Sequence, residues 1–506
     1  MKICLIKIPT FDAPKSLSYF GSVPNLGLAY VAGAIRSAGH QLQVIDAPGE
    51  AINQYKIYGS SVGDLRTHGL TKHEIVERID PDTDVVGLNN MFLHESEFVS
   101  DLLTDVKSRL PHATTVIGGE VATSWWNQML NRCSGLDICA MGEGEEVIKN
   151  LLNTIESGHS LRNARSIAFR ENNSPIIMPR LGRIKTVDGI SWPAWDLFPL
   201  NTYLDHEFGS GVNRGRSIPM LTSRGCPFLC TFCSSPEMWT TDYVAREPGK
   251  VADEISNYIK LYGVTNINFN DLTSVLTKSW IVDFVREIKS RNLKFSWQLP
   301  SGTRSEAIDQ EAAELLYESG CRNFCYAPES GSPRILKSIK KKVKIPSLIK
   351  SLKGSLNAGL TTHASIIVGY PQEKLKDLWL TYLLLIRFAW HGLHGVSVLM
   401  FAPYPGSELY KNLHSNEKIT FNSNYIYSTL LRSGASSQSY HPKYPTSFLF
   451  SIQWFFLLTF FSLQYMFRPM RIVRIIKNFV QRRQETVMDQ FLFAKIKQLR
   501  WFARTK

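Results

Sequence analysis

Cysteine is scarce in this chain, with eight in 506 residues. Outside one short stretch no pair is spaced C-x-x-C, and no H-x₃-H pair occurs. Those absences exclude a disulfide-stapled secreted scaffold and a closed four-ligand structural zinc site. The opening run, Met1 to Pro9, has neither the apolar core nor the small-residue cleavage site of a signal peptide, so a cytoplasmic protein with reduced thiols is expected. Charge is missing from Tyr444 to Phe467 and concentrated after it. From Arg468 to Lys506 eleven Lys and Arg stand against Glu485 and Asp489, so nine of the thirteen net positive charges lie in the tail. A basic tail beside an apolar run points to an anionic membrane surface, and no nucleic-acid partner is expected. With 44% hydrophobic and 20% charged residues the composition is that of an ordinary globular protein, and the length suits two or three domains.

Against the scarcity stands Cys226-Pro-Phe-Leu-Cys230-Thr-Phe-Cys233, a C-x₃-C-x₂-C triplet just after the strand-like run Ser217 to Thr222. Three thiolates on one loop can hold three irons of a [4Fe–4S] cluster, and with no fourth cysteine nearby the last iron stays open to a small chelating ligand. Cys226, Cys230 and Cys233 are therefore the expected metal ligands and the centre of any catalysis.

With its spacing, the preceding Arg224-Gly225 and the aromatic Phe232, the triplet resembles that of the radical S-adenosylmethionine (SAM) enzymes, whose open iron is chelated by SAM. The resemblance implies a partial (β/α) barrel over residues 206–415, and strand-like runs alternate with helical ones there: Val264 to Phe269, Lys294 to Gln298, Phe324 to Ala327, Thr362 to Val368 and Gly395 to Phe401. Turns at the ends of these strands match the family's SAM contacts. Asp271 lies where the methionyl amine is met, Glu329-Ser330 near SAM's polar groups, and Gly369-Tyr-Pro371-Gln-Glu373 resembles the adenine-contact turn. Cys321 and Cys325 are expected to be buried as small apolar residues.

Residues 1–150 alternate strand and helix in the manner of a doubly wound, Rossmann-like parallel sheet. Glycine-rich turns fall at the carboxyl ends of its strands: Leu26-Gly27, Asn89-Asn90, Gly118-Gly119-Glu120 with Thr123, and Gly142-Glu143-Gly144-Glu145. Together they resemble the cobalamin-binding domain that precedes many radical SAM domains, which implies that these residues line a corrinoid. The D-x-H-x-x-G motif is absent, so a histidine below cobalt is not expected; His40, His94 and His112 are expected at surface positions. Residues 151–205 read as a linker region, with two tryptophans and two prolines in its last part.

The combined resemblance implies three cofactors, a [4Fe–4S] cluster, SAM and cobalamin, and an electron donor such as flavodoxin or ferredoxin. Cleavage of SAM would yield a 5′-deoxyadenosyl radical, and methylcobalamin would deliver a methyl group to an unactivated carbon of a small-molecule or lipid substrate. Two alternatives stay open: a cyclase or oxidase like the anaerobic magnesium-protoporphyrin ester cyclases, and a corrinoid-binding sensor without turnover. Residues 416–506 are expected to be helical and basic, making a peripheral contact at the inner face of the membrane, covering the barrel mouth, or spanning the bilayer at 444–467.

Overall fold

The computed structural model describes residues 1–13, 21–60, 62–274, 277–303, 307–432 and 437–505, with side chains described to residue 496. The first sheet has seven strands: β1 (Lys2–Lys7), β2 (Gln41–Asp46), β3 (Val85–Asn89), β4 (Thr114–Gly118), β5 (Ile138–Ala140), β6 (Ile167–Glu171) and β7 (Ser174–Ile177), in the order β7-β6-β5-β4-β3-β1-β2. The first five are parallel, whereas β6 and β7 join antiparallel. Strand order reverses between β1 and β3, and an open α/β sheet binds its ligands at the carboxyl side of such a switch point. Apolar residues fill both faces because α1 (Leu26–Ser37), α2 (Ser96–Arg109) and α3 (Gly144–Glu156) cover them.

Two features differ from the sequence expectation. β6 and β7 lie inside the stretch read as a linker, where the short alternation Ile-Ala-Phe-Arg-Glu is completed by an edge that only the folded sheet supplies. A separate antiparallel sheet, Thr10–Asp12, Gly63–His68 and Tyr55–Ser60, was not anticipated; its strands are short and polar, so they carry little apolar periodicity. Among the histidines His112 is exposed, whereas His40 is buried, and His94 has a buried Nδ1 without a partner.

The second sheet has six parallel strands in simple sequence order, β8 (Ser217–Met220), β9 (Asn266–Phe269), β10 (Ser296–Thr303), β11 (Cys321–Glu329), β12 (Thr361–Val368) and β13 (Gly395–Met400). Helices α4 (Pro248–Tyr262), α5 (Lys278–Ser290), α6 (Gln310–Glu318), α7 (Ile345–Asn357) and α8 (Leu375–His391) form the outer layer. This is a partial barrel with its loops at the C-terminal ends of the strands. Cys321 and Cys325 are buried in β11, as expected.

The uncharged run becomes α9 (Thr446–Phe467), which lies on β13 and α8 as a further outer helix. Leu449, Gln453, Phe456, Phe460 and Gln464 form its buried stripe at helical spacing. Gln453 Nε2 donates to the carbonyls of Val398 and Arg432, both at 3.0 Å, and Gln464 Nε2 donates to His394 at 2.9 Å. Two helices follow, α10 (Met470–Val480) and α11 (Val487–Thr505). Between them Glu485 accepts at its carbonyl from Asn323 Nδ2 at 2.8 Å and from Arg214, so the tail closes the foot of the barrel.

Candidate active site

The lead into the cysteine loop is held by one carboxylate. Asp271, after β9, accepts from Thr222 N at 2.9 Å, Thr222 Oγ1 at 2.9 Å and Ser223 Oγ at 2.6 Å. Burial raises its pKa, and the donors from Ser223 and Thr222 work against that rise. Asp271, expected near SAM, accepts these hydrogen bonds from the turn that launches the loop.

The loop then crosses to the first domain through Arg224. Its guanidinium forms a fork with the Glu145 carboxylate, one arm at 3.1 Å, and stands 4.9 Å from the Tyr30 ring centroid. Burial opposes the charge, yet Glu145 holds the arginine above its ordinary pKa. Glu143 Oε2 accepts from Arg183 Nε at 2.9 Å and Ile184 N at 2.7 Å. The Gly142–Glu145 turn was expected to line a corrinoid. Glu145 is paired with Arg224 and Glu143 Oε2 with Arg183, while Glu143 Oε1 is buried without a hydrogen-bond partner; a buried charge is stabilised only when paired.

The three thiols sit half-buried beyond Arg224. Burial pushes Cys230 up to about 11 against the pull of Lys341, with Cys233, Cys226 and Glu329 adding to the push. Cys233 is also raised, mainly by burial, and donates to Ser235 Oγ at 3.2 Å. Iron must therefore displace thiol protons on binding. Among the described residues no three His, Cys, Asp or Glu converge tightly enough for a single ion. Tetrahedral zinc at ~2.3 Å would bring thiolates within roughly 4 Å of one another. Three thiols on one loop that feel one another's charge suit three corners of a cluster.

Around them lie the turns at the barrel mouth. Glu329 accepts from Lys341 Nζ at 3.1 Å and has φ +64°, a left-handed conformation that a glutamate adopts only under constraint from its surroundings. Ser330 is spent on its own turn, accepting from Ser332 N at 3.1 Å and lying 3.2 Å from Thr381 Oγ1. Gly369 N donates to Glu373 Oε2 at 2.6 Å, while Glu373 Oε1 is buried without a partner. Burial pushes Glu373 up to about 8, so it carries a proton at neutral pH and has an unused polar atom. Pro371 shapes the same turn, and the Phe232 ring lies 6.0 Å from that of Tyr370. Glu329, Glu373 and the thiol loop thus lie together around Tyr370 at the barrel mouth.

The first domain presents its switch-point edge to this mouth. Glu120 lies close to Ser234, next to Cys233; burial raises its pKa, and its Oε1 is buried without a hydrogen-bond partner. Thr123 Oγ1 accepts from Gly142 N at 3.0 Å, tying two turns together. Gly119 has φ +108°, and a Cβ there would meet the Asn90 carbonyl at 2.8 Å. Open space remains on the β1–β3–β4 side. A Cβ on Gly118 would meet nothing within 4 Å, one on Gly27 only Asn25 Oδ1 at 3.7 Å, and Asn90 Oδ1 is buried without a partner. Leu26 and Asn89 flank that space in sequence, and beside it Met91 and Phe92 are exposed, unflagged by the sequence because a lone aromatic in a loop has no period. A cradle of glycines with exposed apolar side chains fits a flat corrinoid.

A Rossmann-like domain set against a partial barrel with three thiols at its mouth is the architecture of radical enzymes that pair a corrinoid domain with a cluster-bearing barrel. Residues 17–152 match the B12 binding domain, and residues 220–385 match the Radical SAM superfamily. An uncharacterized methyltransferase of Pyrococcus horikoshii is 29% identical over 82% of this chain and 84% of its own length. The anaerobic magnesium-protoporphyrin IX monomethyl ester cyclase of Cereibacter sphaeroides is 26% identical over 81% of this chain, which spans 63% of the cyclase. The fold is shared with the radical SAM methyltransferase TsrM from Kitasatospora setae, at a TM-score of 0.63, 14% identity, and 82% and 78% coverage of the two chains. The chain belongs to the B12-binding-domain-containing radical SAM enzymes, whose cofactors are a [4Fe–4S] cluster, SAM and cobalamin.

Proposed function

We propose that this enzyme transfers a methyl group to an unactivated carbon of a lipid-like or secondary-metabolite substrate. The observation that carries the reading is the contact between the helix Glu120–Ser124, which follows the Gly118-Gly119 turn, and the helix Ser235–Trp239, which follows the thiol loop. When bound, the cluster and SAM supply reductive cleavage of the sulfonium, and cobalamin supplies the methyl carrier.

The residues have separate work. Cys226, Cys230 and Cys233 would hold the cluster. Phe232 and Tyr370 exclude water beside the loop, and Glu329, paired with Lys341, would orient the methionyl end. Glu373 keeps its proton at neutral pH and offers Oε1 to the nucleobase. Gly27, Gly118 and Asn90 frame the corrinoid, while Asp271, Glu143 and Glu145 position the loop and the domains. Electrons arrive from a carrier such as flavodoxin or ferredoxin. Leu449 of α9, buried, abuts Gly369 in the mouth turn, so an apolar side chain backs that turn.

Anaerobic reconstitution with methyl-labelled SAM and candidate lipid or pigment extracts tests this. Label in a product together with 5′-deoxyadenosine is expected. Deoxyadenosine without methyl transfer would favour the cyclase reading, and neither product would leave a binding protein.

A further inference from the structure

The tail is amphipathic in the opposite sense to its surroundings. In α10 the arginines face the protein: Arg471 donates to the carbonyls of Leu393 at 3.0 Å and Gly392 at 2.6 Å. Arg468, just before it, donates to Ala389 at 3.0 Å and Trp390 at 2.9 Å. These four carbonyls end α8 or follow it, and cations at a helix C-terminus satisfy its orphan acceptors and its dipole. Because the arginines are used inward, the apolar residues of α10 point out. Ile472, Val473, Ile476 and Val480 are exposed, Ile476 at 59% and Val480 at 75%.

This face continues onto α8 and α9. Trp390 packs edge-on against Phe467 at 5.1 Å, and Phe455 stacks on Tyr382 at 5.1 Å, which in turn stacks on Trp379 at 5.2 Å. Trp390, Trp379 and Leu458 are each more than half exposed. Soluble monomers rarely expose apolar patches of such extent. Lys477, Arg482 and Arg483 are exposed at its border, and long cationic side chains reach from an apolar contact to headgroups. Gln453 and Gln464 fasten α9 to the barrel, so the helix lies along a boundary with its other face free.

We infer that the outward faces of α8, α9 and α10 form a docking surface for an anionic phospholipid leaflet, with tryptophans and aliphatic side chains entering the acyl boundary and the border cations meeting headgroups. The tail thus contacts the membrane through its apolar side, whereas its inner arginines are structural. This holds for whichever substrate is methylated.

The test is flotation of the full-length holoenzyme with phosphatidylcholine vesicles containing or lacking about one third phosphatidylglycerol, a composition chosen to give an anionic surface. Binding to the anionic vesicles only is expected. Ile476→Glu with Val480→Glu should lower partitioning by roughly tenfold or more, because a charge is forced into the acyl boundary. Circular dichroism and cluster absorbance should be unchanged, since both positions are exposed. Lys477→Glu with Arg482→Glu gives a second, independent loss. No flotation, equal flotation on neutral vesicles, or flotation unaffected by both double variants overturns the proposal. So does a stable dimer in light scattering that Ile476→Glu dissociates, because a second copy would then cover the face.

Discussion

Arg224 and Glu145 form a buried, two-pronged ion pair that joins the residue two before the first cluster cysteine to the first turn of a helix in the other domain. Removing one partner strands a charge in a site where both side chains are almost wholly buried. Arg224→Met or Glu145→Gln should each cost ~3–5 kcal/mol of stability. The double variant Arg224→Met, Glu145→Met should recover much of that loss. A double-mutant cycle on thermal unfolding measures the coupling, and iron content of the single variants reports whether the loop shifts with the pair.

The cysteines supply a sharper test. Replacing Cys226, Cys230 and Cys233 together with alanine should remove cluster absorbance and 5′-deoxyadenosine formation while the far-ultraviolet spectrum persists, because the thiols are half-exposed and contribute little to the core. SAM cleavage at the wild-type rate would contradict their assignment.

Glu373 gives a pH signature. Its folded pKa is raised to about 8 from 4.5, so between those values the folded state binds the proton more tightly than the unfolded chain. Its contribution to stability is present below the unfolded pKa and is lost as pH rises toward 8, at up to about 1.4 kcal/mol per pH unit. Glu373→Gln should flatten that slope. Melting temperatures across this range, in wild type and variant, decide it; parallel slopes would refute the assignment.

Gly118 separates corrinoid binding from folding. A side chain there enters open space, so Gly118→Phe should leave the apoprotein's melting temperature within a degree or two, as uncrowded sites do. It should reduce cobalamin retained after reconstitution, read from visible absorbance. Full retention would move the corrinoid away from this turn.

The alternation of strands and helices, the glycine turns and the cysteine spacing were legible because each is local: a period of two or 3.6, a positive φ, or three thiols within eight residues. The pairing of Glu143, Glu145 and Asp271 was not. Those carboxylates sit in turns of the right kind, but what they bind is set by cations and donors far away in the chain, with Arg224 79 residues from Glu145. The same reason hid β6 and β7, which become strands by meeting an edge.

The sequence by itself determined the two domains, the order of their parts and the three-thiol loop, because these depend on composition and spacing along the chain. Tertiary structure decided which side of the tail helix faces outward. Arg468 and Arg471 find unsatisfied carbonyls at the end of a helix some eighty residues earlier, and satisfying those acceptors turns the aliphatic side of α10 toward the surroundings.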